Sequence, residues 1–161
     1  MDPGTHKTGI GLISAKGNQY RSIHYEVITQ KPGTELPQRL LKIYKQIGAV
    51  IRQFQPEVLA LENIFFGRDV PAMVKIGEAR ACAMLAASEN QIRVAEYPPA
   101  RVKESVAGNG RASKEQMQFM VQRLLHLDKA LPEDSADALA VAICHVHSYR
   151  SLKNREVVMV L

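Results

Sequence analysis

The strongest constraint on the fold is a short run, Val58-Leu59-Ala60-Leu61-Glu62, set between two helical stretches. A run without polar alternation before its closing acid reads as a buried strand. Ahead of it, Leu36, Leu40, Ile43, Tyr44, Ile47, Val50, Ile51 and Phe54 recur at spacings of three and four. That spacing puts one apolar stripe on a long helix, which Pro56 ends. Behind the strand, residues 72–88 are rich in Ala and Met and read as a second helix. Its small residues Ala72, Gly77, Ala79, Ala83 and Ala87 suit close packing, either within the core or at a dimer seam.

The remaining segments extend the pattern on both sides. Residues 9–14 (GIGLIS) are short and apolar, like a central strand, and residues 22–29 (SIHYEVIT) alternate with β-branched and aromatic side chains. Lys16-Gly17-Asn18 between them is hairpin chemistry, and Lys31-Pro32-Gly33 makes a later turn. Residues 92–97 read as a strand, and Pro98 opens a helix at its first turn. Ser113 and Gln116 form a capping box for a helix carrying Met117, Met120, Val121, Leu124 and Leu125. A last helix covers residues 133–149. The order of strands and helices predicts one α/β domain with a mixed sheet over residues 1–161, a length that folds without disulfides or metal.

Charge and cysteine content narrow the partners. Lys and Arg number 21 against 16 Asp and Glu, a net charge of +5 that suits a polyanion without requiring one. Cys82 and Cys144 form no CxxC pair and read as buried reduced thiols, and Cys144 has no spaced partner for zinc. His145 and His147 stand near the end of the last helix and read as helix-end or surface groups. The opening MDPGTHKTG lacks the apolar core of a signal peptide, and no apolar run approaches the roughly 18 residues of a membrane span. A soluble cytoplasmic protein without a membrane partner is expected.

Four acids stand out by position. Asp2 precedes Pro3-Gly4, Glu62 closes the strand VLALE, and Asp134 and Asp137 share one helix face in DSADALA. Taken singly, each has an ordinary explanation: a turn for Asp2, a solvated strand end for Glu62, a helix cap and dipole partner for Asp134 and Asp137. Jointly, strand-end acids facing a helix pair can converge in one cleft, where they repel unless a cation neutralises them. Mg²⁺ takes oxygen ligands and keeps water positions open for phosphate oxygens. Two such ions about 4 Å apart can activate a water and stabilise the leaving oxygen of a phosphodiester.

These segments carry a resemblance. Residues 2–11 (DPGTHKTGIG) look like the DPGxxxTGxG opening of the RuvC-type Holliday junction resolvases. Residues 60–66 (ALENIFF) resemble their second acidic strand and aromatic loop, and residues 134–140 (DSADALA) resemble their last acidic pair. Residues 53–56 (QFQP) and 97–103 (YPPARVK) also fit, so the likeness covers nearly the whole chain in order. It implies an RNase H-like mixed five-stranded sheet flanked by helices, a homodimer, and paired Mg²⁺-dependent nicking of four-way DNA junctions in recombination and repair. Two Mg²⁺ ions per site, replaceable by Mn²⁺, and a RuvA–RuvB branch-migration partner are part of the same implication.

Residue by residue, Asp2, Glu62, Asp134 and Asp137 match the family's metal-binding acids, and Phe65 matches the aromatic that enters the junction centre. Stacking an unpaired base on such a ring is worth roughly 1–3 kcal/mol. Phe66 reads as a second wedge or a core residue. Lys103 and Lys114 match basic positions near the cleft, where solvated surface lysine is the plain alternative. Arg68, Arg80, Arg101 and Arg111 read as backbone contacts or ordinary surface arginines.

One departure bears on the fold. In the family an apolar strand precedes the first acid and lies in the middle of a sheet ordered 3-2-1-4-5, whereas here Met1 directly precedes Asp2. The first central strand is therefore expected to be truncated in the sequence as given. An empty middle position leaves ladder groups unpaired at roughly 1–3 kcal/mol each, so the chain is expected to be unstable or rescued by another segment, for which residues 157–161 are a candidate. Two further functions stay open: a catalytically impaired junction-binding protein of the same fold, or an RNase H-like nuclease acting on RNA. The DPGT motif also fits the phosphate loop of sugar-kinase and actin-like ATPases, but 161 residues cannot hold their two domains.

Overall fold

The computed structural model describes residues 1–17, 19–63, 69–149 and 158–160. Strands β1 (Lys7–Lys16) and β2 (Gln19–Thr29) form an antiparallel hairpin. Helix α1 (Leu36–Phe54) follows, then β3 (Val58–Glu62), α2 (Val70–Glu89) and β4 (Arg93–Tyr97), with β3 and β4 parallel. Helices α3 (Pro99–Ala107), α4 (Lys114–Leu124) and α5 (Glu133–Tyr149) come next, and β5 (Val158–Val160) closes the described chain. The capping box at Ser113 is present, with both reciprocal hydrogen bonds made. Gly17 turns the hairpin with φ +57°, a left-handed conformation that glycine adopts at no steric cost.

The sheet order is β2-β1-β5-β3-β4. Its middle position is filled from both ends. At one end Met1 nitrogen donates to the Ala60 carbonyl at 2.9 Å, while Asp2 bridges Gly9. At the other, β5 pairs antiparallel with Ile13, Ser14 and Ala15 of β1 and parallel with Val58 of β3. Of the two outcomes expected from the sequence, an unstable chain or a rescue by another segment, the structure shows the second: the apolar tail supplies a strand at the central position. The physical reason is that β1 and β3 otherwise present unpaired main-chain groups inside two helical layers, where water cannot satisfy them.

Alternation along the strands sorts side chains between two cores. Ile10, Leu12, Leu59 and Leu61 face α1 and α2, with Ile43, Ile47, Ala79 and Ala83 beneath them. Ile13 and Ala60 face the other way, against Leu139, Ala140 and Ile143 of α5, which α3 and α4 cover. Helix α5 is buried on nearly all sides, as a helix clamped between a sheet and two further helices must be. No described helix is long and apolar enough to cross a membrane. The small positions Ala79, Ala83 and Ala87 of α2 are buried in the chain's own core, while Val70, Val74 and Leu85 lie exposed on the outer face of the same helix.

Candidate active site

The same alternation brings the acids together. Val58, Ala60 and Glu62 share one face of β3, so Glu62 points to the α5 side, beyond the core-forming Ala60. Asp2 stands opposite Gly9 and shares its face, and a Cβ placed on Gly9 would overlap the main-chain carbonyl of Asp134. At Gly11 a Cβ would lie 2.8 Å from the Leu139 nitrogen. These two glycines therefore let the first turns of α5 lie directly on β1, with Asp134 and Asp137 beside Asp2. The structure places all four acids at one end of the central sheet, each partly buried.

The carboxylates feel one another. Burial, reinforced by the charges of Asp137 and Asp134, pushes the Asp2 carboxyl up to about 6. Burial, reinforced by Asp2 and Asp137, pushes Glu62 up to about 7. Asp137 is also raised, chiefly by burial, with Lys114 opposing. Among the described residues no ion pair neutralises these acids. Nor do any three acidic, His or Cys side chains among the described residues stand at ligating separation. Burial is the larger cause of the raised proton affinities, and the neighbouring like charges add to it. An all-oxygen donor set with no ion-pair partner among the described residues fits a hard divalent cation.

Basic groups border the cleft. Lys103 on α3 is half-buried, and its charge lowers the proton affinity of both Glu62 and Asp137. Lys114, the first residue of α4, is exposed, ion-paired with Glu133, and its field reaches Asp137 and Asp2. A small cavity lined by Lys114, Gln118, Glu133 and Asp137 opens between α4 and α5. Phe65, Phe66 and Arg68 lie outside the described residues. Arg101 and Arg111 are exposed. Arg80 is a correction: it is buried, and its guanidinium is engaged by protein groups, so it is not a surface contact. The clue in the sequence was an arginine among the small, core-facing positions Ala79, Cys82 and Ala83.

His145 is buried in α5, with Nδ1 2.7 Å from the Tyr97 hydroxyl and its ring stacked on Tyr149 at 5.0 Å. Burial, with Arg93 adding to it, lowers its proton affinity to about 4. It is a neutral core histidine, neither the surface nor the helix-end group expected.

An RNase H-like sheet whose central end collects four carboxylates against one helix defines a class, the phosphodiester-cleaving nucleases of that fold. Comparison with known proteins specifies the family. The family model of crossover junction endodeoxyribonuclease RuvC matches residues 1–145. The RuvC of Moorella thermoacetica is 45% identical over 157 residues, covering 97% of this chain and 93% of that protein. That of Syntrophomonas wolfei is 42% identical over 151 residues, covering 93% and 88%. Thermus thermophilus RuvC in complex with a Holliday junction substrate superposes with a TM-score of 0.88 at 36% identity, covering 93% of this chain and 92% of that one. This chain belongs to the crossover junction endodeoxyribonuclease RuvC family.

Proposed function

We propose that this chain resolves four-way DNA junctions by hydrolysing phosphodiester bonds at the cleft formed by Asp2, Glu62, Asp134 and Asp137. The observation that carries the proposal is the convergence of these acids at one end of the sheet, where burial, reinforced by neighbouring carboxylates, raises the proton affinities of Asp2, Glu62 and Asp137. The four carboxylates would hold Mg²⁺, two ions per site, with Mn²⁺ able to substitute. Bound there, the cation supplies an activated water and stabilises the leaving oxygen.

The chain's own groups do the rest. Glu62 and Asp137, both drawn toward protonation chiefly by burial, would serve as cation ligands in their ionised forms. Lys103, half-buried beside them, and Lys114 at the rim hold the scissile phosphate. Phosphate contacts of this kind set affinity and its salt dependence without reading sequence. Phe65, with Phe66, stacks on an unpaired base at the junction centre, and Arg68 contacts the backbone nearby. The exposed apolar face of α2, Val70, Val74 and Leu85, pairs two copies, so that each contributes one cleft and one nick. The working context is the cytoplasm, beside the RuvA–RuvB complex.

The test is a gel assay on a synthetic mobile junction and on linear duplex of the same sequence, with Mg²⁺ and with EDTA. Paired nicks confined to the junction and abolished by EDTA are expected. Junction binding without nicks would assign a binding role instead, and preferential cleavage of RNA would assign another substrate.

A further inference from the structure

The end of β3 is held from the side opposite the acids. Arg80, midway along α2, is 8% exposed although it carries a full charge. Its Nη1 donates to the main-chain carbonyl of Glu62, its Nη2 lies 3.4 Å from Asn63 Oδ1, and Nη2 pairs with Glu96 Oε2 at 2.6 Å. Glu96 stands on β4 opposite Leu61, so it shares the face that meets α1 and α2. The guanidinium thus joins three elements: α2 carries it, and it grips the last residue of β3 and the adjacent strand β4. Asn63 nitrogen adds a bond to the Tyr97 carbonyl at 2.8 Å, extending the ladder by one residue beyond Glu62.

This is a costly arrangement to bury. A charge in the interior needs a partner and filled donors, and here Glu96 supplies the charge while a main-chain oxygen and an amide oxygen take other donors. The fork geometry of arginine suits it, since one planar group reaches all three acceptors at once. Packing α2 onto the sheet would need only apolar side chains, of which Ala79, Cys82 and Ala83 already serve. What the guanidinium adds is a directional bond to one carbonyl, that of the residue whose carboxylate enters the cleft.

We propose that Arg80, backed by Glu96, is a positioning residue for the Glu62 carboxylate. It contacts the main-chain oxygen and not the carboxylate, so it acts by fixing the backbone from which the side chain projects. Glu62 is the last residue of its strand, with one further ladder bond, from Asn63, beyond it among the described residues. Groups that orient ligands in this way commonly change cation affinity or activity by about 10–100-fold when removed. The inference rests on Glu62 being a cation ligand.

The experiment compares R80A, R80K, E96Q and E62Q with the wild-type dimer. Mn²⁺ affinity is read by calorimetry, the Mg²⁺ concentration at half-maximal junction cleavage by gel, junction binding by titration in EDTA, and folding by thermal melting. For R80A we expect both cation measures to weaken by about tenfold or more, with junction binding in EDTA within twofold of wild type. R80K should recover part of that loss, because one donor can still reach the carbonyl, and E96Q should show a smaller change in the same direction. Wild-type Mn²⁺ affinity in folded R80K and E96Q would overturn the proposal even if R80A failed to fold. E62Q separates the two levels. If E62Q binds Mn²⁺ and cleaves normally, Glu62 is no ligand and both readings fall. If E62Q is defective while the Arg80 and Glu96 variants are normal, only the positioning role falls.

Discussion

Asp2 and Gly9 of β1 exchange both main-chain hydrogen bonds, nitrogen to oxygen at 3.0 and 2.9 Å. The pair puts the Asp2 side chain on the face that α5 covers, and the bare Cα of Gly9 lets Asp134 come within reach of it. Gly9→Ala should therefore act on two of the proposed ligands at once. The added methyl group collides with the Asp134 carbonyl, which is main chain and cannot swing aside. We expect a loss of about 1–3 kcal/mol in urea denaturation, the usual cost of overpacking, together with loss of cleavage. Gly17→Ala is the control: it meets nothing within 4 Å and strains only the left-handed turn, so it should cost stability but keep cleavage. Full activity in Gly9→Ala would show that α5 can shift without disturbing the site.

The paired carboxylates predict how a cation and pH act together. With the folded-state affinities of Glu62 and Asp2 raised to about 7 and about 6, their contribution to stability is full below about pH 4 and is lost as pH rises through those values. In EDTA, thermal melting should fall by a few degrees between pH 6 and 8. Adding Mg²⁺ should raise it more at pH 8 than at pH 6, because the ion binds deprotonated ligands. Equal stabilisation at both values would remove these two acids from the ligand set.

Cleavage should depend on Glu62 more than binding does. Glu62→Gln keeps the shape of the side chain and removes its charge, so metal-dependent nicking should drop by at least a hundredfold while junction affinity stays within a few-fold. Single-turnover cleavage and a binding titration on the same preparation decide it. Retained nicking would place Glu62 outside the reacting centre.

His145 titrates in the opposite sense. Its folded-state affinity lies near 4 against about 6.5 unfolded, so the stability it contributes is full above about pH 6.5 and is lost as pH falls toward 4. Over that window the loss amounts to about 3 kcal/mol at most. His145→Gln should lower stability at pH 7 and flatten the acid limb of the pH profile, and the difference from wild type isolates this residue from the carboxylates. An unchanged acid limb would mean that the imidazole is not held neutral by its surroundings.

The tail strand is testable by removal. Deleting residues 158–161 strips the ladder partners from Ile13, Ser14 and Ala15 on β1 and from Val58 on β3. Each buried group left unpaired costs roughly 1–3 kcal/mol. The melting temperature should fall by several degrees, and amide exchange should accelerate at residues 13–15 before it does in α5. Unchanged protection there would show that β5 does not hold the central position in solution.

Local pattern alone determined much of this protein. The stripe of α1, the capping box of α4 and the apolar run of β3 are short-range signals, and each element lies within a residue or two of where they put it. The acids were legible for the same reason: Asp134 and Asp137 share a helix face by spacing, and Glu62 falls on the α5 side of β3 by strand parity. Three things were decided only by the tertiary structure. The filling of the sheet centre joins residues far apart in sequence: residues 157–161 could be offered as a candidate, but their pairing with β1 and β3 is seen only once the sheet closes, through residues 158–160. His145 became a neutral core group because the middle of α5 is enclosed by the sheet and its neighbouring helices, which its own sequence does not reveal. Arg80 was drawn inward because its acceptors lie on two strands distant in sequence, the last carbonyl of β3 and a carboxylate of β4. Periodicity reports which face a residue occupies. What waits on the far side of that face, and whether it satisfies a charge or a main-chain group, depends on contacts that form only when the sheet and its helices close on one another.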